Sequence, residues 1–127
     1  MGKKALMAIT VVAIVWFPFR ASATSAADFQ VKTTRDLVTL CATPENDPLR
    51  VAAVHFCEGF AVGAYQYHLI AETAMKAKPL FCLPNPTPSR DEAIQQFIAW
   101  SKRQTAALDA PAVEGIFIFL RDQYPCG

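Results

Sequence analysis

The chain has 127 residues, with 12 Lys+Arg against 11 Asp+Glu and a formal net charge of +1. That length allows one domain with a modest core. Lys and Arg form no cluster beyond the N-terminus, so the sequence offers neither the basic stripe that nucleic acid needs nor a patch for an anionic membrane surface.

The first element is an export signal. Lys3 and Lys4 give a positive start, and Ala5 to Phe19 is an apolar run broken by Thr10 and Pro18. Ala21-Ser22-Ala23 has the small-x-small pattern of a signal peptidase site, and Thr24-Ser25-Ala26 is a second one. The run of 15 residues, 5–19, is shorter than the roughly 20 that span a bilayer, and Arg20 closes it. The reading is therefore a signal peptide over residues 1–23, cleaved near Ala23 or Ala26, and not an anchor. No Cys follows the run closely, which argues against a lipoprotein. Cleavage removes Lys3, Lys4 and Arg20, so Lys+Arg falls from 12 to 9 and the domain 24–127 carries a net charge of −2.

Residues 24–33 are small and polar and read as a frayed leader. Asp36 to Cys41 reads as part of a short first helix, capped by Thr33 or Thr34 and ended near Pro44. The second helix has Asp47 as its cap and Pro48 at its first position, where a missing N–H costs nothing. It runs to about Met75. Leu49, Ala53, Phe56, Phe60, Ala64 and Tyr67 recur three or four apart and line one face, with Cys57 and Ala61 beside them. Gly59 and Gly63 each weaken this helix by roughly 1 kcal/mol against Ala. Their spacing predicts that a neighbouring helix approaches closely there.

Residues 76–88 form a linker in which Pro79, Pro84, Pro86 and Pro88 forbid helix and fix an extended path. Phe81 and Leu83 flank Cys82, so this stiff, partly apolar loop is pinned by a disulfide and reads equally as a recognition surface or as a plain connector held down by its bridge. The third helix opens with Ser89 and Glu92 as a capping box. Ala93, Phe97, Trp100 and Gln104 form one stripe edge, with Ile94 and Ile98 beside it, and Lys102 and Arg103 suit its C-terminal end. Asp109 is the expected cap of a fourth helix with Pro111 in its first turn. Val113, Ile116, Phe117, Leu120 and Tyr124 make its expected buried stripe, and Pro125 stops it. With no credible strand hairpin and no repeat, the fold class is all-α, a compact bundle of four to five helices with two disulfides.

Cys41, Cys57, Cys82 and Cys126 all lie beyond the signal. An even count in an exported domain of this size reads as two bridges. The intervening stretches of 15, 24 and 43 residues do not suit zinc, which needs close Cys or His pairs. Helix order favours Cys41–Cys57 with Cys82–Cys126, and Cys41–Cys82 with Cys57–Cys126 is also buildable.

A catalyst needs a nucleophile, a base or paired carboxylates within reach of one another. His55 and Cys57 are two apart on a helix and point to different faces. His68, beside Tyr65 and Glu72, reads as a solvated or interface histidine, and Glu58 as a surface carboxylate. There is no HExxH, no GxSxG and no Gly-rich phosphate loop. The expectation is a binding protein, with no catalytic residues, no metal and no cofactor.

Cys57-Glu58-Gly59-Phe60-Ala61-Val62-Gly63 resembles the C-x-G-F/Y-x-x-G signature of the Rap/Tai family of type VI secretion amidase immunity proteins. Phe81-Cys82-Leu83-Pro84 is similar to that family's F-C-x-P element. Ala110-Pro111-Ala112 opens the last helix as the family's does, Tyr124-Pro125-Cys126 resembles its closing F/Y-P-C, and Leu40-Cys41 fits its earlier cysteine. The likeness runs from about residue 36 to 126. It implies a helical, disulfide-bonded periplasmic protein, with a homodimer possible, that binds and inhibits a secreted peptidoglycan amidase. It leaves the inhibitory surface unassigned, and Phe81, Leu83, Pro84 and Asn85 on the Pro-rich loop are the expected partner contacts. The density of proline in Asn85-Pro86-Thr87-Pro88 departs from the family. A rival reading is an acid-stress chaperone resembling HdeA, since Cys57-Glu58 followed by Phe60 is similar to the start of its disulfide helix. That reading requires apolar surface to open at low pH.

Overall fold

The computed structural model describes residues 23–127. The export signal read over residues 1–23 therefore lies, but for Ala23, outside the described residues. The described chain is all-α. Its helices are α1 (Thr34–Cys41), α2 (Arg50–Met75), α3 (Arg90–Ser101) and α4 (Ala112–Gln123), with 3-10 turns at Ala26–Phe29 and Thr105–Ala107.

Local chemistry sets most of the helix starts. The Thr33 hydroxyl accepts the Asp36 N–H at 3.2 Å, and the Asp36 carboxylate accepts the Thr33 N–H at 2.9 Å. Ser89 and Glu92 make the same reciprocal pair at the head of α3. Asp47 acts as a cap, but through a tight turn: its Oδ1 accepts the Leu49 N–H at 2.8 Å, and regular α-helix begins only at Arg50. The Arg50 guanidinium then donates back to the Thr43 carbonyl and pairs with Glu45 at 2.8 Å. This closes the α1–α2 turn.

One expected cap and the leader differ from the sequence reading. Asp109 does not cap α4; it forms an exposed pair with Arg35 at 2.8 Å. Pro111 takes the cap position, and the Ala112 N–H finds the Lys32 carbonyl at 3.0 Å. The backbone just before α1 thus satisfies a donor that a side chain was expected to take. Residues 24–33 are not frayed. Ser25 and Asp28 cap the first 3-10 turn, the Thr24 N–H donates to Asp47 Oδ2 at 2.7 Å, and Phe29 meets Phe56 edge-on at 5.5 Å.

The core lies where α1 packs against α2, α3 and α4. Leu37 and Leu40 of α1 are fully buried. Phe97 and Trp100 of α3 stack at 5.8 Å, and Phe119 of α4 meets both at 5.4 and 5.8 Å with its plane turned 61°. Edge-to-face contact suits ring quadrupoles, and Trp100 Nε1 keeps a partner in Asp122 Oδ2 at 3.1 Å. Of the expected α4 stripe, Ile116, Leu120 and Tyr124 are buried, Phe117 is half-buried and Val113 is exposed; Ala112, Gly115 and Phe119 are buried as well. In α3, Ile94, Phe97, Trp100 and Ser101 are buried, and Gln104 lies past the helix end.

The disulfides are Cys41–Cys57, with Cα atoms 5.2 Å apart, and Cys82–Cys126, at 4.9 Å. This is the favoured pairing. The first joins α1 to α2 inside the core, and the second ties the linker to the C-terminus.

The caps make a pH prediction. Backbone hydrogen bonds hold three carboxylates below their ordinary values: Asp36 through Thr33 and Lys32, Asp47 through Thr24 and Leu49, and Glu92 through Ser89. Each is favoured as its charged form in the folded state. The stability each contributes is present above the unfolded value of about 4 and is lost as pH falls through the lower folded value. The calorimetric midpoint should therefore stay level from about pH 7 to pH 5 and drop below about pH 4. Asp36→Asn should make the acid limb shallower.

Candidate partner-binding groove

α2 ends at Lys76, which takes the left-handed conformation with φ 50°. The N–H groups of Lys76 and Ala77 close on the carbonyls of Thr73 and Glu72 at 3.2 and 3.1 Å, a helix stop usually given to glycine. The linker that follows is held at several points. Glu72 Oε1 accepts the Leu80 N–H at 3.2 Å and faces His68 Nε2 at 3.5 Å. The Cys82 N–H donates to the Tyr124 carbonyl at 2.8 Å beside the Cys82–Cys126 bridge.

Phe81 supplies the apolar anchor. Its ring is 5.4 Å from His68, 6.1 Å from Tyr65 and 6.3 Å from Phe117, and the residue is only 7% exposed. The sequence reading placed Phe81 among the partner contacts. In the structure its side chain faces the core, because burying a benzyl group contributes about 2 kcal/mol that exposure would forgo. Leu83 is half-buried, while Pro84 and Asn85 are exposed. His68 is likewise no solvated residue. It lies 4.7 Å from Phe117 and stacks on Phe81, so it packs the linker onto α2 and α4.

Leu83 also lines an open groove of about 460 Å³ bounded by α2, α3 and α4. Its walls include Val62, Tyr65 and Leu69 of α2, Ile94 of α3, and Ile116 and Leu120 of α4. A volume of this order suits a ligand or a protruding side-chain cluster. The polar rim holds Glu58 and Gln66 on one side and Ser89 and Arg90 on another. Among the described residues neither Glu58 nor Arg90 has an ion-pair partner. Tyr124 closes one end, its hydroxyl donating to Gln96 Oε1. Burial, with the charge of Glu92, pushes the Tyr124 phenol up, so it stays a neutral donor.

The groove stays open because α2 outruns its partners. Its 26 residues span about 39 Å, against about 18 Å for the 12 residues of α3 or α4. Only Ala53 and Cys57 of α2 are buried, while Tyr67, Ile70 and Met75 are each at least 70% exposed. The expected apolar stripe therefore covers a core only in its first half. The expected close approach at Gly59 and Gly63 is also absent: a Cβ at either would meet nothing within 4 Å.

An open apolar groove with a polar rim is suited to recognition. All four cysteines are bridged, leaving no thiol, and no group of His, Cys, Asp and Glu among the described residues is placed to hold a metal. Of the contacts expected from sequence, Leu83 lines the groove and Pro84 and Asn85 do not, while Val62, Tyr65 and Leu69 line it without having been singled out in the sequence. A family model, that of the Rap1a immunity proteins, matches residues 33–126. No curated protein and no solved structure matches the chain.

Proposed function

The chain belongs to the Rap1a immunity protein family, and from that premise we propose that it is exported to the periplasm, where it binds a type VI secreted peptidoglycan amidase and blocks its active site. An immunity protein acts by occupying a toxin. The observation that carries the surface assignment is the open apolar groove between α2, α3 and α4, which Leu83 of the Pro-rich linker lines. Apolar surface of this kind on a small domain marks an interaction site. Leu83 lines the groove with Thr87 and Pro88 of the same linker, exposed Pro84 and Asn85 follow Leu83 as further partner contacts, and buried Phe81 anchors the linker. Two bridges suit an oxidising compartment. The acid-stress chaperone reading has no support from the family match.

The test uses oxidised protein spanning residues 24–127 against a panel of purified peptidoglycan amidases. A nanomolar, stoichiometric complex that stops peptidoglycan cleavage is the expected result. Leu83→Asp should weaken it by roughly tenfold or more, as a charge placed in a desolvated contact does. Failure to bind any amidase would sink the amidase assignment.

A further inference from the structure

Asp47 sits 23 residues from Thr24 in sequence, yet its carboxylate meets the Thr24 backbone nitrogen at 2.7 Å in a half-buried site. The same carboxylate caps the start of α2 through its other oxygen, Oδ1 to the Leu49 N–H at 2.8 Å. One side chain thus joins the first residues of the domain to the longest helix. Thr24 is also the residue that follows Ala21-Ser22-Ala23, the first of the two signal peptidase motifs.

We infer that the chain is cut between Ala23 and Thr24 and that Asp47 is the receptor for the new α-amino group. This rests on the export reading above. The cut is a hydrolysis by a signal peptidase: water adds across the Ala23–Thr24 peptide bond, Ala23 leaves with a carboxylate, and the Thr24 amine takes up a proton at neutral pH. A neutral N–H donor against Asp47 becomes an ammonium at the same place. Charge-assisted hydrogen bonds are about twice as strong as neutral ones, so processing itself tightens the fold.

The second motif gives the opposite result. A cut after Ala26 would discard Thr24 and Ser25 together. It would remove the Asp47 contact and the Ser25 cap, in which the Ser25 N–H and hydroxyl both donate to Asp28 Oδ2 at 2.7 and 2.8 Å. Cutting after Ala23 keeps both contacts and adds a charge to one of them.

Intact mass and N-terminal sequencing of the full chain after expression in a Gram-negative host make the first arm of the test. The expected terminus is Thr24. A terminus at Ala27 overturns the proposal and leaves export standing, whereas an uncut chain overturns both. The second arm compares four purified proteins by thermal unfolding: chains starting at Thr24 or at Ala23, each with Asp47 or with Asp47→Asn. Asn still accepts the Leu49 N–H as a good cap, so the variant folds. The Thr24 start should melt roughly 3–6 °C above the Ala23 start, and Asp47→Asn should erase that difference. Equal midpoints for both starts with Asp47 present overturn the receptor role.

Discussion

Replacing Gly115 with Val should leave the protein without a cooperative thermal transition, and Gly115→Ala should lower its stability by about 3 kcal/mol. A Cβ at Gly115 would lie 1.9 Å from Thr34 Oγ1 and 2.5 Å from Thr34 Cγ2. Thr34 has no room to yield. It is fully buried at the head of α1, its N–H donates to the Ala110 carbonyl at 2.8 Å, and its hydroxyl lies 3.1 and 3.3 Å from the Ala110 and Pro111 carbonyls. The added methyl therefore drives α1 and α4 apart at the point where the core joins them. A loss of about 3 kcal/mol is a large share of the roughly 5–15 kcal/mol that holds a domain together, and it moves the midpoint by roughly 12–24 °C in a domain of this size. Val adds two further carbons to the same clash. Combining Gly115→Ala with Thr34→Gly should recover part of the loss, giving a measurable coupling in a double-mutant cycle. Gly59→Ala and Gly63→Ala should do the reverse and raise stability by roughly 1 kcal/mol each, since they add helix propensity and meet nothing. A neutral Gly115→Ala would mean that α1 and α4 do not cross as described.

The contrast among these glycines marks what was legible in the sequence. Gly59 and Gly63 stand four apart in a helix, a pattern that invites a packing explanation, yet no helix covers them. Gly115 stands alone, and its partner Thr34 is 81 residues away. Nothing local betrays that contact. Capping reads well because its rules act within three residues: Thr33 with Asp36, Ser89 with Glu92, and Asp47 with Leu49 all appear as their residue types suggest. Helix order favoured the observed disulfide pairing without excluding the alternative: Cys41 and Cys57 meet across the α1–α2 turn, and α3 and α4 return Cys126 to Cys82. Asp109 misled because a capping residue two positions before a proline is a local signal, while the α4 head is satisfied by the Lys32 carbonyl from far along the chain. The groove was half legible. Leu83, which lines it, stands out beside Cys82 in the Pro-rich linker, but Val62, Tyr65 and Leu69 lie off the stripe that the spacing picks out on α2. That they line a groove depends on where α3, α4 and the linker pack, which no local signal gives.

The same asymmetry separates the two disulfides and gives the second large effect. Removing the outer bridge by Cys82→Ser with Cys126→Ser should cost about 4 kcal/mol, from a separation of 44 residues, against about 3 kcal/mol of chain entropy for Cys41–Cys57, at 16. Location matters as much as loop length. Cys41 and Cys57 are buried at 2% and 0% exposure, while Cys82 and Cys126 both face solvent. A small dithiol should therefore open the outer bridge first, and thiol labelling followed by mass analysis should show two modified cysteines, 82 and 126, before any change in helical signal. The functional effect should exceed the structural one. Phe81 stays packed against His68 and Phe117, but the linker beyond it loses its covalent tie at the position next to Leu83. Affinity for the toxin should fall with the outer bridge open while the core melts as one unit. If all four thiols instead become reactive together, and only as the helices are lost, then the linker is part of the cooperative core, and Leu83, Pro84 and Asn85 do not form a separately tethered contact surface.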